Sequence, residues 1–373
     1  MGFDGHGLAH HLDYHHTGRK MNRFWLIPNE IVENILLRVD DIDSLTDDCR
    51  FVCKSWFNLI NDPLFSIKHH QYHKNAKKKK MVSFLCLHGL GDRYNHSETF
   101  LSLVTVSDDF HCHIEKVNVF LEIRQRLQIS HCNGIIHMFS KNHLSSVLFN
   151  PTIRGYKFVR GPDPPPNSNV DVRGSGFGYD AKSNIYKLVK IFGDVKAMVH
   201  TLGTSSSSWR EVKFDHLEGK MLFPGIYCKG AYYWLCRRMN GVMRNRLMIL
   251  CFEMCDEKFG VVPIPIPCSN EEEFILGEWN ESVALLNIYQ MWVMVDDGIR
   301  IKWILCLKFG PLPPLYFPMN FWKEDEILLK SYRDEDGVVS YNIRTKQLRR
   351  VYVPGRMFYC THAIPSLKTL FSV

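Results

Sequence analysis

Residues 27–39 read IPNEIVENILLRV, and this stretch decides how the first part of the chain folds. Pro28 stands where the first turn of a helix tolerates a residue that lacks a backbone N–H. Apolar side chains then recur at the spacing of one helix face, at Ile27, Ile31, Val32, Ile35, Leu36 and Val39. The pattern predicts an amphipathic helix that begins near Pro28.

A second short helix is predicted within residues 52–60, which read VCKSWFNLI. Its apolar side chains recur at the same spacing, at Val52, Trp56, Leu59 and Ile60. The spacing alone also suits an ordinary helical hairpin within a larger core. However, a few short helices over about forty residues bury too little apolar surface to be stable alone, so we expect another protein to cover them.

Several motifs in this region follow one another in a fixed order: Ile27-Pro28, Ile35-Leu36-Leu37-Arg38-Val39, Val52-Cys53-Lys54-Ser55-Trp56, Leu59-Ile60 and Pro63-Leu64-Phe65. In this order they resemble an F-box. The chain departs from the usual pattern in the middle, where Val39-Asp40 replaces Leu-Pro and a short insertion within residues 41–48 is predicted to be an acidic loop.

The resemblance implies docking on the Skp adaptor of a cullin-RING ubiquitin ligase. The acidic departure from the pattern bears on the affinity of that contact. The residues expected to form the principal docking face are Ile27, Pro28, Ile31, Ile35, Leu36 and Val39. Those expected to support the helices or to join the contact are Val52, Trp56 and Leu59.

The composition is that of a globular protein with two or three domains. The chain has 373 residues, of which 45% are hydrophobic, and a formal net charge of +7. The run Lys77-Lys78-Lys79-Lys80 supplies much of that excess and is predicted to be a solvated linker. With no long apolar run and no signal segment, we expect a cytosolic or nuclear protein that does not contact a membrane.

No metal or cofactor is predicted. The twelve cysteines are dispersed and lack paired Cys-x-x-Cys motifs, so reduced thiols are expected rather than disulfides or a zinc site. The histidines are densest within residues 6–16, where no apolar periodicity is present, and residues 1–22 are predicted to be a disordered tail.

After Met81 the apolar period changes from nearly four to two. Short segments rich in Val, Ile, Phe, Tyr and Trp are predicted as strands at residues 81–87, 101–106, 135–139, 147–149, 186–191, 198–201, 232–236 and 247–252. Pairs such as Asn133-Gly134, Lys229-Gly230 and Asp297-Gly298 are typical of tight turns between strands. An all-β domain is therefore expected over residues 81–373, with room for about six propeller blades.

This β region is similar to the F-box-associated domain of a very large plant family that includes relatives of the S-locus F-box proteins. The motifs that carry the similarity occur in family order: residues 130–136, 148–152, 176–180, 184–189, 208–210, 230–234, 291–294 and 301–303. We interpret them as structural. The glycines of residues 174–178 are predicted to lie in turns, and binding residues are expected in the loops between strands.

The predicted fold class is α+β, with a helical F-box at residues 23–66, a basic helix or linker at 67–80 and the propeller-like domain behind it. No nucleophile, base and orienting group stand at catalytic spacing. Basic and aromatic residues are scattered, which argues against nucleic-acid binding.

The first functional hypothesis is a non-catalytic, substrate-binding subunit of an SCF-type ubiquitin ligase. It would bind the Skp adaptor, with its cullin scaffold, and an unknown target protein. A second hypothesis is a module that binds a glycan or small ligand, to which Trp209, Tyr233, Trp292 and Trp322 could contribute. A third is an adaptor-binding protein that supports no ubiquitination.

Overall fold

The chain forms two compact units, Met1–Tyr72 and His73–Val373, here called the helical unit and the β unit. The computed structural model describes residues 27–74, 82–90, 98–107, 110–117, 127–140, 144–162, 172–193, 196–203, 208–215, 220–237, 247–264, 274–298, 300–314, 316–323, 325–331, 337–351, 357–365 and 369–371. The predicted tail at residues 1–22 and the lysine run at 77–80 lie outside these ranges.

The helical unit has both helices that the apolar spacing predicted, and a third follows them. The helices are α1 (Asn29–Leu36), α2 (Lys54–Ile60) and α3 (Pro63–Lys74). Asp62 caps α3, because its Oδ1 accepts a hydrogen bond from the backbone N–H of Leu64 at 2.8 Å. The buried apolar residues that hold the unit together are Val32, Leu36, Ile42, Leu45, Ile60 and Phe65.

The acidic segment between α1 and α2 is helical, so the prediction of a loop was wrong. Ser44–Asp48 forms a π-helical turn and Cys49–Phe51 a 3-10 turn. The apolar residues Ile42 and Leu45 enter the core, while Thr46 donates a hydrogen bond to the carbonyl of Ile42 at 3.2 Å. The hydrogen bond of a π turn spans one more residue than that of an α turn. The π turn at Ser44–Asp48 therefore accommodates the extra residues of the insertion within a helical segment.

The β unit contains short antiparallel strands in chain order. They are β1 (Val82–Leu90), β2 (Glu98–Val106), β3 (Cys112–Val117), β4 (Leu127–Cys132), β5 (Ile135–Ser140), β6 (Ser146–Asn150), β7 (Gly155–Val159), β8 (Val172–Asp180), β9 (Ile185–Phe192), β10 (Lys196–Thr201), β11 (Trp209–Val212), β12 (Lys220–Cys228), β13 (Ala231–Arg237), β14 (Leu247–Glu253), β15 (Lys258–Val262), β16 (Ile275–Trp279), β17 (Ser282–Leu286), β18 (Gln290–Asp296), β19 (Ile301–Lys308), β20 (Tyr316–Lys323), β21 (Glu326–Ser331), β22 (Val338–Asn342), β23 (Leu348–Val351) and β24 (Met357–Pro365).

The described strands form six four-stranded sheets, the number of blades that the length permits. Sheet 1 has the order β24-β1-β2-β3, and sheets 2 to 6 each take the next four strands in sequence, from β4-β5-β6-β7 to β20-β21-β22-β23. One edge strand of each sheet contacts its counterparts on both sides, in the closed order β24, β4, β8, β12, β16, β20. The β unit is therefore a propeller, as predicted.

The turn predictions are confirmed where the structure describes them. Asn133 and Gly134 have φ angles of 49° and 80°, and Lys229 and Gly230 have 45° and 86°. Both central residues of a type I′ hairpin turn need positive φ, which Asn and Gly adopt most readily. The strands predicted from period-two patterns are also present, each extended by one or a few residues.

The glycines at residues 174–178 lie within β8, so their assignment to turns was wrong. A Cβ on Gly176 would lie 2.8 Å from Cζ2 of Trp234 and 2.9 Å from the ring of Tyr232. Both rings are buried in the apolar cluster between sheets 3 and 4. These glycines are needed because bulky rings of the next sheet pack directly against the backbone of β8.

Two further motifs of the sequence meet in an ion-pair network between the same sheets. The Nζ of Lys187 lies 2.8 Å from Oδ2 of Asp180 and 2.9 Å from Oε1 of Glu257, and it donates a hydrogen bond to the carbonyl of Met254 at 2.7 Å. Burial would raise the pKa of the Asp180 carboxyl, but Lys187 and the backbone N–H groups of Ser183 and Lys182 hold it below its usual range. The network ties β8 and β9 to the turn between β14 and β15.

Two sets of contacts hold the last described segments of the chain. First, β24 pairs with β1, so the last strand completes the first sheet. Second, the buried side chain of Asn150 donates hydrogen bonds to the carbonyls of Thr369 and Phe371 at 3.0 and 2.7 Å. Its Oδ1 accepts from the N–H of Thr152 at 2.9 Å, so one amide both caps a turn and holds the end of the chain.

Asn150→Ala should lower the free energy of unfolding by about 3 kcal/mol, because it leaves two buried carbonyls without their donor. Urea unfolding of the full chain measures the loss. Asn342→Ala is the matched control, since Asn342 also caps a turn, by accepting from Arg344 and Thr345 at 3.0 and 2.9 Å. Equal losses in the two variants would contradict the role given to Asn150, as would a full additional loss when Asn150→Ala is combined with truncation after residue 368.

Leu36 and Ile35 are neighbours in α1 with opposite environments, 1% and 48% exposed. Leu36→Ala should destabilise the helical unit by about 3 kcal/mol through the cavity that it leaves, whereas Ile35→Ala should cost less than about 1 kcal/mol. The rate of protease cleavage within residues 27–74 of the native protein distinguishes the two. Similar cleavage rates would refute the assignment of Leu36 to the core.

Candidate functional site

The helical unit leaves large apolar side chains in solvent although it is small. Ile31 is 51% exposed, Phe51 74% and Leu64 58%. Six of these residues, here called the helical apolar set, are Ile31, Ile35, Phe51, Val52, Phe57 and Leu64, and Tyr72 at the end of the unit is exposed as well. Such a density of exposed apolar residues on a short segment is typical of a protein interaction site.

The predicted docking residues divide by environment. Ile31, Ile35 and Val52 are exposed, as is Pro28, whereas Ile27, Val39, Trp56 and Leu59 are half-buried. Leu36 is buried in the core of the helical unit, so we expect it to support the docking face rather than to contact a partner. Periodicity alone could not separate Leu36 from Ile35, because the apolar stripe of α1 is wide enough to include both.

Sequence reasoning missed Phe51, Phe57 and Leu64. Phe51 and Phe57 do not fit the helical spacing of Val52, Trp56, Leu59 and Ile60. This mismatch could have identified them from the sequence as candidate contact residues. A large apolar residue that the core does not need is a candidate for a contact with another molecule. Leu64 lies beside the buried Phe65 within the Pro-x-Phe motif, where only the structure separates their roles.

Polar contacts fix the helices that carry the helical apolar set. The carboxylate of Glu33 in α1 lies 2.6 Å from the Nζ of Lys68 in α3. A ring nitrogen of His69 lies 2.8 Å from the carbonyl of Val39, directly after α1. Ser55 donates to Oδ1 of Asn29 at 3.3 Å and so joins α2 to the start of α1. The exposed residues are thus held on a preformed scaffold.

A second group of functional side chains lies between sheets 2 and 3 of the β unit. Ser130 Oγ is 3.1 Å from Nδ1 of His137, and Nε2 of His137 is 3.1 Å from Oγ of Ser146. Lys190 donates to the carbonyl of Leu144, and its Nζ lies 5.5 Å from the centre of the Phe139 ring. No linear motif indicated this cluster, because three strands of one sheet and one of the next contribute to it.

The cluster has the residue types of a nucleophile and a base, but it is closed to solvent. His137, Ser146 and Lys190 have no exposed surface, and Ser130 is almost fully buried. Burial, with the charge of Lys190 as a second cause, holds the pKa of His137 well below its usual range. Burial lowers the pKa of Lys190 to about 7. Because no substrate atom can reach these groups as they stand, we interpret the cluster as a polar seam between two sheets.

Lys190 should make stability depend on pH. Its pKa is about 7 in the folded chain, against 10.5 for a solvated lysine. Between these values the unfolded chain binds a proton that the folded chain does not, so the contribution of Lys190 to the stability of the wild type rises as the pH increases from about 7 to 10.5. Lys190→Met should remove this rise and make the protein more stable at pH 7. Parallel pH dependences of wild type and variant in urea unfolding would refute this.

The four aromatic residues considered for a glycan site do not form one platform. Trp209 lies in β11, Tyr233 in β13, Trp292 in β18 and Trp322 in β20, each in a different sheet. Trp292 and Trp322 are buried, and the indole N–H of Trp209 donates to the carbonyl of Arg160 at 2.7 Å. Core packing accounts for Trp292 and Trp322, while Trp209 and Tyr233 are half-buried.

Neither a metal site nor a membrane-spanning helix is found among the described residues. Within the part of the chain that the structure describes, no three His, Cys, Asp or Glu side chains are grouped as a metal site requires. None of the described helices is long and apolar enough to cross a bilayer.

Comparison with known proteins gives matches to both units. The profile of the F-box domain matches residues 24–68, and that of the F-box associated beta propeller domain matches residues 74–363. A putative F-box/kelch-repeat protein of Arabidopsis thaliana is 24% identical over 349 residues, covering 89% of this chain and 92% of the relative. An F-box/kelch-repeat protein of the same plant is 24% identical over 386 aligned residues, covering 95% and 98%.

Solved structures resemble the chain more distantly. AztD of Citrobacter koseri is 10% identical with a TM-score of 0.41, and the match covers 77% of this chain and 98% of AztD. The SapL1 lectin in complex with alpha methyl fucoside is 11% identical with a TM-score of 0.42, covering 73% and 96%. The propeller profile spans well over half of the sequence and an F-box precedes it, so the chain belongs to the family of F-box proteins with an F-box associated beta propeller domain.

Proposed function

We propose that the chain is the substrate-binding subunit of an SCF-type ubiquitin ligase. The helical unit docks on the Skp adaptor, which connects it to the cullin scaffold, and the β unit holds a target protein. The observation that carries the proposal is the helical apolar set. A small domain that exposes so many large apolar side chains is expected to bind a partner that covers them. The family of the chain supports the same assignment.

In this role the chain performs no chemistry. Its contribution is effective concentration, because a target held near the ubiquitin-charged enzyme reacts as if the transfer were intramolecular. The closed cluster around His137 agrees with a receptor rather than a catalyst. The proposal includes that the chain acts in the cytosol or nucleus, where such ligases work. Its relation to the S-locus F-box proteins stays a prediction from the sequence.

The docking face proposed here differs from the sequence prediction at two points. Leu36 supports the face from the core, while Phe51, Phe57 and Leu64 join Ile31, Ile35 and Val52 in contact with the adaptor. The acidic residues of the segment 40–48 are mainly exposed and border the same unit, so they add a salt-dependent contribution to its association.

The test replaces two exposed residues of α1 without disturbing the helix. Ile31→Asp puts a negative charge in the first turn and Ile35→Lys a positive charge in the last turn, and the helix dipole favours both. Loss of one interface anchor costs about 2 kcal/mol, so the double variant should raise the Kd for the Skp adaptor at least about 30-fold. Calorimetric titration of the full chain with purified adaptor measures this.

Tyr156→Asp in β7 is the control, since Tyr156 is an equally exposed apolar residue of the β unit. It should bind the adaptor like the wild type. An unchanged Kd for the Ile31→Asp, Ile35→Lys variant, with helical circular dichroism intact, would overturn the docking assignment. If the adaptor binds but the reconstituted ligase modifies no protein in a plant extract, the chain is the adaptor-binding protein without ubiquitination of the third hypothesis.

A further inference from the structure

The outermost strands of the sheets differ in how they are protected against pairing with another chain. An open strand edge presents free backbone N–H and C=O groups, and proteins usually blunt it by short length or by charged side chains. Among the outermost strands in the described ranges, β3, β7, β11 and β23 carry charged residues in their interior, and β15 has only five residues. β19 is longer, and its two lysines, Lys302 and Lys308, lie near its ends.

β19 is long and apolar at its centre. It spans eight residues with the sequence IKWILCLK, so residues 303–307 form an uncharged stretch between Lys302 and Lys308. Ile304 is 56% exposed, and Ile301, Leu305 and Cys306 are exposed as well. Val295 of the neighbouring strand lies on the same face as Ile304, because its partner in the ladder is Lys302, two residues before Ile304.

A pocket lies at the carboxyl end of β19, between sheets 5 and 6. Its volume is about 390 Å³, and it is lined by Trp279, Asn280, Leu307, Lys308, Asp325, Ile343 and Arg344. Pockets that hold small ligands or anchor side chains have volumes of roughly 300 to 1,000 Å³. Three apolar residues line this pocket together with Lys308 and the ion pair of Asp325 with Arg344, so it suits an apolar side chain with an acidic group beside Lys308.

The charges around this edge are mainly basic. Lys302 and Lys308 flank the apolar stretch, and Arg344 lies on the rim of the pocket. Two nearby acids already have cationic partners, since Asp297 lies 2.9 Å from Lys302 and Asp325 lies 2.8 Å from Arg344, and a third, Asp296, lies opposite Ile301 in the ladder. Lys308 makes no ion pair with any residue that the structure describes, so a bound segment can supply its counter-charge.

We propose that β19 and this pocket form a docking edge for an extended segment of another protein. The segment is apolar at its centre, carries aspartate or glutamate at both ends, and adds to sheet 5 as a fifth, antiparallel strand. Backbone hydrogen bonds supply affinity, while the alternating side chains and the terminal acids supply specificity. The proposal rests on the proposed function only in taking this segment to belong to the target.

The charges favour such a segment over a second copy of this chain. Two β19 strands pairing with each other would bring basic edges together, and in the register that places Lys302 opposite Lys308 like charges would meet directly. An acid-flanked partner places opposite charges at both ends in its matching register. Charge complementarity therefore favours an acid-flanked segment of another protein over a second copy of this chain.

The experiment uses the full chain and three fluorescein-labelled heptapeptides, read by fluorescence anisotropy. In the first peptide three valines alternate with two phenylalanines between terminal glutamates. The second has lysines at its ends, and the third is the first peptide with alternate backbone amides N-methylated. We expect the first to bind at least about tenfold more tightly than either of the others.

Variants locate the site. Ile304→Lys or Leu305→Lys should weaken binding of the glutamate peptide at least about tenfold, because each puts a charge into the open edge. Val261→Lys is the matched control, since Val261 is as exposed on the outermost strand β15. Lys308→Glu should weaken the glutamate peptide and strengthen the lysine peptide, which loss of folding could not do.

Equal binding of the glutamate and lysine peptides, or full binding of the N-methylated peptide, would overturn the proposal. So would unchanged affinity in both Ile304→Lys and Leu305→Lys, or a dimer of the wild type in sedimentation that Ile304→Lys abolishes. Adaptor binding of Ile304→Lys is measured in parallel and should be unchanged. Failure at the docking edge is therefore distinguishable from failure of the helical apolar set.

Discussion

The pairing of β24 with β1 is the constraint on which the β unit depends. Val82 faces Pro365 and Cys86 faces Cys360 across this ladder, so residues from opposite ends of the unit complete one sheet. Without it sheet 1 would lack its inner strand, and the closed order of inner strands would be broken between β20 and β4. Every other sheet is built from strands that are consecutive in sequence. This is therefore the contact that turns a row of sheets into a ring.

The segment after β24 extends that closure to the boundary between sheets 2 and 3. Asn150 of sheet 2 holds residues 369–371, and the ring of Phe371 lies 5.7 Å from that of Tyr186 in sheet 3. The boundary between these two sheets also contains the polar cluster of His137 and Lys190. A buried lysine contributes less to stability than an apolar side chain of the same size, so a tether across the same boundary offsets the difference. The Asn-Pro-Thr motif thus serves ring closure as well as its turn.

Much of the fold could be predicted because it is encoded locally. The period-two patterns found strands such as β5 and β13, and Asn133-Gly134 found its turn from the φ angles that the two residues accept. The partner of β24 could not be predicted, since nothing in its sequence names β1. The glycines of β8 were wrongly predicted to lie in turns for a related reason. Gly176 is required by Trp234 and Tyr232, which are distant in sequence, and a glycine has the same letter in a turn as in a close approach.

The candidate site shows the same limit, with a consequence for function. Residues 31–36 of α1 include Ile31, Val32, Ile35 and Leu36, and only the neighbouring helices decide which pair faces inward. A residue that docks a partner must be dispensable for folding, so Leu36 and Ile35 cannot exchange roles. The same constraint applies to β19. Charged residues interrupt most of the other outermost strands, and an open apolar edge carries a risk of aggregation. Ile304 and Leu305 contribute little to the core, so a contact outside the chain is the physical reason for keeping them apolar.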